Sequence, residues 1–179
     1  LKEIPRTGWA FAGVPLAEIE DVAQHSFEVA SLTLLLCDNL DERKTKINRE
    51  KALAMAIIHD WPEALVADFP YTAVEFLGGK EVKLKMEEKA AALLLPRPRL
   101  ELWREYVENK TAEAKIVHAA DYLSMLLQAL KYAERGNVSR EMRELWAAVL
   151  NDVSKYSEEF SIVKELTAQL SAELRRLSR

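Results

Sequence analysis

Two of the three histidines of this chain, His25 and His59, and two of its aspartates, Asp60 and Asp121, stand in positions that suggest metal binding. His25, His59 and His118 are the only histidines among 179 residues, and His59 is followed directly by Asp60. Asp121 interrupts an otherwise apolar helical pattern. Imidazole nitrogens and carboxylate oxygens together suit Mn²⁺, Co²⁺, Fe²⁺, Ni²⁺ or Zn²⁺. Such an ion polarises a phosphoryl group and lowers the pKa of its bound water, so these residue types suggest metal-assisted hydrolysis.

Each of these residues also has a purely structural explanation. A histidine on an apolar helix is more often a hydrogen-bonded core residue than a ligand, and Asp121 could pair with an interior cation. A buried carboxylate without a partner is costly, however, and Asp60 follows the apolar stretch 52–58. The dipeptide His59-Asp60 alone is a weak signal, so both explanations stay open on the residues themselves.

Pro62 is expected to interrupt the helix that carries His59 and Asp60. That helix is predicted over 49–60 and is apolar almost all round, so it should lie buried at the centre of the fold. Proline removes a backbone donor and disfavours helical geometry at the preceding residue. Adjacent side chains on a regular helix point about 100° apart. A distortion at the helix end would therefore let both side chains reach one ion, and a short helix would follow over 62–66.

Helical periodicity covers most of the remaining chain. Only 5 glycines and 6 prolines are present, which is typical of long helices, and no segment has a convincing strand pattern. Residues 1–16 are predicted to be an irregular lead-in and residues 67–79 a loop. We predict a single all-α domain over 1–179, with a core over about 16–137 and C-terminal helices over about 139–177. Its seven or eight helices would include 16–37, 80–95, 99–108, 111–135, 139–154 and 158–177.

Composition argues against several classes of protein. With a net charge of −4, the chain is not expected to bind nucleic-acid polymers or anionic membranes. No run approaches the ~18 apolar residues of a membrane span. Cys37 is the only cysteine, which rules out an intramolecular disulfide and favours a reducing cytoplasm. A small phosphorylated substrate stays compatible with the negative charge, because a metal ion supplies local positive charge.

Several motifs follow one another in a fixed order along the chain. They are Arg6–Trp9, Glu20–Ser26, His59–Glu63, Asp68–Pro70, Ala120–Asp121 and Ala133–Asn137. This ordered set, which is more specific than any one motif, resembles the HD-domain superfamily of metal-dependent phosphohydrolases. Within it, the chain is most similar to the 5′-deoxynucleotidases, the HD-domain-containing protein 2 group and oxetanocin-biosynthesis-like proteins. The resemblance covers about residues 2–137.

The resemblance implies roles for the acidic and imidazole side chains. The family's ordered ligands for a divalent ion (Co, Mn, Ni, Fe or Zn) carry over to His25, His59, Asp60 and Asp121. The acidic residue after the HD pair matches Glu63, which would act on the attacking water or on the leaving alkoxide. Asp68 would share that work or bind sugar hydroxyls. On the residues alone, Glu63 could instead be a charge that favours a helix N-terminus.

The resemblance also implies substrate contacts, with departures from the family pattern. Arg6 and Trp9 match the family's N-terminal region near phosphate and nucleoside, although Trp9 could equally be a packing residue. His118 stands where relatives often have Lys, and it would be a titratable phosphate contact. Ala12-Gly13 stands where relatives often carry Arg-Asn, so a phosphate-binding arginine is lost or replaced there.

Three functions are compatible with these patterns. The resemblance favours removal of phosphate from deoxyribonucleoside 5′-monophosphates by a homodimeric enzyme. The same metal site could act on another nucleotide, namely a triphosphate, a cyclic nucleotide or a guanosine polyphosphate. A third hypothesis is a non-catalytic helical dimer that binds nucleotide or keeps a structural metal. The phosphorus-containing product separates the first two hypotheses, and tight nucleotide binding without turnover would indicate the third.

Overall fold

A computed structural model describes residues 1–42 and 46–177, and within them the chain is all-α, as predicted. Seven helices in the described part of the chain have ten or more residues. No helix among the described residues combines the length and the apolar character that crossing a membrane requires. The helices are α1 Gly8–Phe11, α2 Val22–Glu42, α3 Arg49–Ile58, α4 Glu63–Val66, α5 Tyr71–Phe76, α6 Lys80–Leu94, α7 Arg97–Glu108, α8 Ala112–Glu134, α9 Arg140–Ser154 and α10 Ser161–Leu177, with a 3₁₀ turn at Leu16–Glu18.

Side-chain caps begin several of these helices. The side chain of Asn48 accepts a hydrogen bond from the Lys51 amide at 3.1 Å at the start of α3. Ser139 does the same for the Met142 amide, also at 3.1 Å, at the start of α9. The chain turns out of α8 at Gly136, whose φ of 96° favours glycine.

The observed boundaries correct three predictions. α2 begins at Val22 and not near residue 16, because the Asp21 carboxylate accepts the Gln24 amide at 2.7 Å and ends the lead-in there. Residues 67–79 are not wholly a loop, since α5 forms after Pro70 and ends before two glycines of positive φ. α7 includes Pro98 in its first turn, where the missing amide hydrogen costs nothing.

α8 is the central helix of the fold. It packs against α2, α3, α7, α9 and α10, and its inward residues, such as Leu123 and Leu126, are fully buried. α3 packs on both α2 and α8, with Ala52, Met55 and Ala56 buried, although Ile57 is 45% exposed. Buried residues of α9 and α10 belong to the same hydrophobic core as those of α2 and α8. This arrangement brings the first turn of α2, the end of α3 and the middle of α8 together.

Candidate metal centre and active-site cleft

The four side chains that the sequence nominates as metal ligands meet in one place. His25 comes from α2, His59 and Asp60 follow α3, and Asp121 comes from α8. His25 Nε2 lies 3.1 Å from Asp121 Oδ1 and 3.6 Å from Asp60 Oδ2. His59 Nε2 lies 3.2 Å from the same Asp60 oxygen. One donor atom each from His25, His59 and Asp121 lies within 4.8 Å of the others.

A turn after α3 allows two consecutive residues to point at the same centre. α3 ends at Ile58, the Trp61 amide donates to the Ile58 carbonyl, and the Glu63 amide donates to the Asp60 carbonyl, both at 3.1 Å. The indole N–H of Trp103 on α7 donates to the His59 carbonyl at 3.0 Å. α4 then begins directly after Pro62. The predicted interruption at this proline is therefore confirmed.

The buried polar atoms of the centre fit a divalent cation. His25 Nε2, His59 Nε2 and Asp121 Oδ1 are inaccessible to solvent and make no hydrogen bond of normal geometry. His59 Nδ1 lies 2.7 Å from the Ala56 carbonyl, which can only accept, so in the neutral ring Nδ1 carries the proton and Nε2 offers its lone pair. Buried acceptors that face one another without donors are costly unless a cation lies between them.

The second imidazole is oriented by a chain of two hydrogen bonds. Ser124 Oγ donates to Glu28 Oε2 at 2.7 Å and lies 3.2 Å from His25 Nδ1. Because the hydroxyl has one hydrogen and gives it to the carboxylate, its oxygen accepts from His25 Nδ1–H. His25 Nε2 is then also left as a lone-pair donor. Ser124 lies three residues after Asp121, and Glu28 three residues after His25, so helical spacing places both beside a ligand.

Electrostatic coupling holds the metal-free centre together. Burial by itself would raise the pKa of Asp60, but His59 and Arg6 outweigh it and hold that pKa well below its ordinary range. Burial likewise opposes ionisation of Asp121, yet the two imidazoles lower its pKa to about 2. Burial lowers the pKa of His59, and the Asp60 carboxylate more than reverses this, raising it to about 8. Both carboxylates are therefore ionised at neutral pH.

The centre opens into a cleft of about 660 Å³. Its walls come from the N-terminal segment, from the chain between α3 and α6, and from α6 to α9. Apart from the fully buried His25, every site residue nominated from the sequence lines it, namely Arg6, Trp9, His59, Asp60, Glu63, Asp68, His118 and Asp121. A volume of this size is in the range of pockets that hold one small molecule.

Glu63 is a buried acid on the wall of this cleft. Its side chain stands in the first turn of α4, is 3% exposed and leaves Oε2 without a hydrogen-bond partner. Burial first, and then the nearby Asp60 carboxylate, raise the pKa of Glu63 to about 10. A charge that merely favours a helix N-terminus would be solvated and ionised, so the structural alternative for Glu63 does not describe this side chain.

Asp68 ties the N-terminal segment across the cleft. Its Oδ2 accepts the Thr7 amide at 2.6 Å and the Thr7 hydroxyl at 3.0 Å, and its carbonyl accepts the same hydroxyl at 2.8 Å. The preceding Ala67 has φ 63° and ψ 170°, a conformation that residues with a Cβ rarely adopt. The bonds to Thr7 help to hold this strained turn.

The three nominated substrate contacts differ in what they can offer. Arg6 Nη1 lies 3.3 Å from Asp60 Oδ2, so a guanidinium stands beside the metal centre. Trp9 is only 2% exposed, and its indole N–H donates to Glu20 Oε1 at 2.8 Å, which matches the packing alternative. His118 Nε2 donates to the Tyr106 carbonyl at 3.0 Å, and burial lowers its pKa. The remaining nitrogen of this neutral ring is an acceptor, which suits a phosphate anion poorly.

Comparison with known proteins agrees with this geometry. Residues 1–158 match the profile of the HD domain. The chain belongs to the HD-domain family. A solved structure, the conserved hypothetical protein from Pyrococcus furiosus, superimposes with a TM-score of 0.81 at 40% identity, covering 93% of this chain and 92% of that chain. The 5′-deoxynucleotidase HDDC2 of Bos taurus is 30% identical, covering 97% of this chain and 82% of the relative.

The resemblance read from the sequence motifs is thus confirmed. The 5′-deoxynucleotidase hdd1 of Schizosaccharomyces pombe is a further relative, 31% identical over 89% of this chain and 86% of its own length. A solved structure of a predicted metal-dependent phosphohydrolase from Magnetospirillum magnetotacticum superimposes with a TM-score of 0.69 at 25% identity, covering 99% of this chain and 85% of that chain. These comparisons support the HD-domain fold and the class of metal-dependent phosphohydrolase, both expected from the ordered motifs.

Sequence reasoning missed Lys83 as a residue of this HD-domain cleft. Lys83 lies on α6, lines the cleft and pairs with Glu87 Oε1 at 3.1 Å. Burial would lower the pKa of Lys83, but Glu87 and Glu63 raise it, so the ammonium group is retained. Only its i,i+4 spacing to Glu87 was visible in the sequence, and that pattern is common on solvated helices.

Acidification is expected to weaken metal binding by this HD-domain protein. A metal ion binds the unprotonated imidazole, whereas His59 with a pKa of about 8 holds a proton below that pH. Apparent affinity should therefore fall by about tenfold for each pH unit below 8 and level off above it. Chelator competition with Co²⁺ between pH 6 and 9 measures this slope. An affinity that stays constant from pH 6 to 8 would contradict the proton competition.

Removing the Ser124 hydroxyl should weaken metal binding without altering the ligands. Ser124→Ala deletes the acceptor that orients the His25 ring, and losses of about 10–100-fold in metal affinity are typical of such supporting residues. Ser26→Ala is the matched control, because that buried serine only donates to the Val22 carbonyl of its own helix at 2.8 Å. Titration of the metal-free proteins with Zn²⁺ should separate the two variants. Equal affinities would rule out this role for Ser124.

Proposed function

We propose that this HD-domain protein hydrolyses nucleoside 5′-monophosphates, preferentially the deoxy forms, to nucleoside and inorganic phosphate. The observation that carries the proposal is the convergence of three buried, unpartnered donor atoms on the floor of a cleft that also holds a buried acid. The names of the relatives in cattle and fission yeast, both 5′-deoxynucleotidases, support the choice of substrate. We assign the divalent ion to His25, His59, Asp60 and Asp121.

A divalent ion held there would supply Lewis-acid activation of the phosphoryl group and a water of lowered pKa. The protein's own contribution begins with orientation of the ligands. Ser124 and the Ala56 carbonyl hold the two imidazoles with their Nε2 atoms toward the centre. Trp103 and the turn after α3 hold the backbone of His59 and Asp60 in place.

We assign proton transfer to Glu63. Since its pKa is raised to about 10 by burial and by Asp60, Glu63 carries a proton at neutral pH. A protonated carboxyl in the cleft can donate that proton to the 5′ oxygen as the phosphorus–oxygen bond breaks. Departure of a neutral hydroxyl group avoids a strongly basic alkoxide. Hydrogen bonds from Thr7 fix the position of Asp68 in the cleft wall. The Asp68 carboxylate would assist proton transfer or bind the sugar hydroxyls.

We assign phosphate binding to the cationic side chains of the cleft wall. Arg6 stands beside Asp60, and its guanidinium can donate to phosphate oxygens in the same plane. Lys83 on α6 supplies a second cation to the cleft wall, although it also pairs with Glu87. His118, which the sequence nominated for this role, can contribute only if it gains a proton that its burial disfavours. Trp9 offers no more than an edge of its ring to the nucleoside.

The proposal is tested by metal-restored release of phosphate. The protein is stripped of metal and assayed on deoxy- and ribonucleoside 5′-monophosphates with Co²⁺, Mn²⁺, Ni²⁺, Fe²⁺ or Zn²⁺ added back. Phosphate release from deoxy substrates is the expected result, and it also identifies the preferred ion. Release of pyrophosphate or tripolyphosphate from other nucleotides would show that the substrate is not a monophosphate. Tight nucleotide binding without turnover, with every ion tested, would contradict a catalytic function.

We further propose a homodimer in the cytoplasm. Phe27, Leu34 and Leu35 are 76%, 39% and 63% exposed, and their spacing places them on one face of α2. A stripe of large apolar side chains on an acidic, charged surface is typical of a contact between subunits. Light scattering should give twice the chain mass, and Phe27→Glu combined with Leu35→Glu should give the monomer. The single cysteine is consistent with a reducing compartment.

A further inference from the structure

One part of the cleft wall is formed by α8 and α9, and we call this part the α8–α9 arm. On α8, His118, Asp121, Tyr122 and Met125 follow the i, i+3, i+4, i+7 spacing of one helix face, and all four line the cleft. α9 contributes a second face with the same spacing. Its residues are Leu145, Ala148, Val149 and Asp152, and Asn151 lines the cleft beside them. The character of the wall therefore changes from ionic at Asp121 to apolar within a single helical turn.

Tyr122 is the aromatic ring that this arm leaves available. Trp9, Trp103 and Tyr106 also line the cleft, but each is buried. Tyr122 is half-buried, and its ring centroid lies 6.3 Å from that of Tyr156. A partly exposed aromatic face beside an ionic centre suits a planar, uncharged heterocycle.

The α9 side of this part of the cleft also carries polar groups. Asn151 and Asp152 lie on the cleft wall near the end of α9, and Asp152 Oδ1 also accepts from Lys155 at 2.5 Å. A carboxylate and an amide there can accept the N–H groups that every nucleobase presents on its edge. The wall formed by α8 and α9 therefore combines a metal ligand, an aromatic ring, apolar side chains and polar groups. A mononucleotide presents a matching set of groups: a phosphate, the flat face of the base and the polar edge of the base.

We propose that the α8–α9 arm is the nucleobase subsite and that Tyr122 is the residue on which the base stacks. This inference rests on the proposed function, because it assumes a nucleotide whose phosphate lies at the metal centre. It also replaces Trp9 as the stacking residue, since a ring that is 2% exposed has no free face. Because stacking recognises the flat surface that all bases share, the subsite should bind different bases. It should bind phosphate esters without a base more weakly.

The test compares a nucleotide with its base-free counterpart. The substrates are a deoxynucleoside 5′-monophosphate and 2-deoxyribose 5-phosphate, which share the reacting group and the sugar. Tyr122→Ala should raise KM for the nucleotide by about tenfold or more, the scale of one lost stacking contact. Its kcat/KM for the base-free ester should stay within about twofold of the wild-type value. Tyr122→Phe keeps the ring and should behave as wild type with both substrates.

Inhibition by the deoxynucleoside gives a second measurement of base binding, and this measurement does not require hydrolysis of the nucleotide. The deoxynucleoside, which has a base but no phosphate, should inhibit hydrolysis of 2-deoxyribose 5-phosphate by the wild type and by Tyr122→Phe. That inhibition should weaken about tenfold in Tyr122→Ala. Phe69→Ala is the matched comparison, because Phe69 is the other half-buried aromatic ring of the cleft wall. It should leave the inhibition constant unchanged.

Two results would overturn the subsite while leaving the proposed function intact. Equal losses on the nucleotide and on the base-free ester in Tyr122→Ala would place Tyr122 with the reacting group and not with the base. A selective loss in Phe69→Ala, with none in Tyr122→Ala, would move the base to the opposite wall. Failure of the wild-type protein to hydrolyse any monophosphate, by contrast, would remove the proposed function itself.

Discussion

Asp121→Asn is expected to abolish metal-dependent phosphate release while leaving the fold in place. The amide has the same shape as the carboxylate but no charge, so the centre loses one of its two ionised ligands. Metal affinity should fall by at least about 100-fold, beyond the 10–100-fold typical of residues that only support a ligand. Calorimetric titration of the metal-free protein with Zn²⁺ or Co²⁺ measures the affinity, and phosphate release measures the activity.

The same substitution at a remote aspartate provides the control for Asp121→Asn. Asp38 lies on α2, is half exposed and pairs with Arg49 at 2.8 Å. Asp38→Asn should keep the metal affinity and activity of the wild-type protein. Cooperative thermal unfolding of metal-free Asp121→Asn would show that its loss of binding is local. Retention of wild-type affinity in Asp121→Asn would exclude Asp121 from the ligand set.

Glu63→Gln is expected to keep the metal but lose most of the turnover. Glutamine fills the same buried position and cannot donate a carboxylic proton, so general acid catalysis disappears. Loss of such a group typically lowers kcat by about 10²–10⁴-fold. Metal affinity should change little, because Glu63 is not one of the four residues to which the ion is assigned.

The leaving group distinguishes a proton donor from a proton acceptor at this position. An aryl phosphate such as p-nitrophenyl phosphate releases a weakly basic phenolate that needs little protonation. Glu63→Gln should therefore lose much less activity on the aryl ester than on a nucleoside monophosphate. Equal losses on both esters would assign Glu63 to activation of the attacking water. Full activity on both would remove Glu63 from the chemistry.

Local sequence rules predicted most of the helices because their signals lie within a few residues of one another. The apolar period of α8, the cap at Asn48 and the interruption at Pro62 each depend on contacts between near neighbours. The boundaries of α2 and α7 were less accurate. The start of α2 depends on which of several acidic residues serves as the cap, and Pro98 fits a first helical turn as well as it fits a stop.

The nominated ligands also came from sequence, through an ordered set of motifs, and the structure brings all four together. The residues that orient these ligands could not be predicted from the sequence. Ser124 and Glu28 are 96 positions apart in the chain, and only the packing of α2 against α8 brings them into contact. The same holds for Lys83, whose position in the cleft depends on how α6 packs against α4.

The sequence by itself determined the all-α class, the family and the chemical types at the centre, because helical periodicity and motif order are properties of the linear chain. Only the tertiary structure decided which side chains have a free face or a free lone pair. It buried Trp9 against Glu20, left His118 neutral beside Tyr106 and left Tyr122 half-buried in the cleft wall. These outcomes depend on packing between helices that are distant in sequence, and that packing sets burial, hydrogen-bond partners and pKa together.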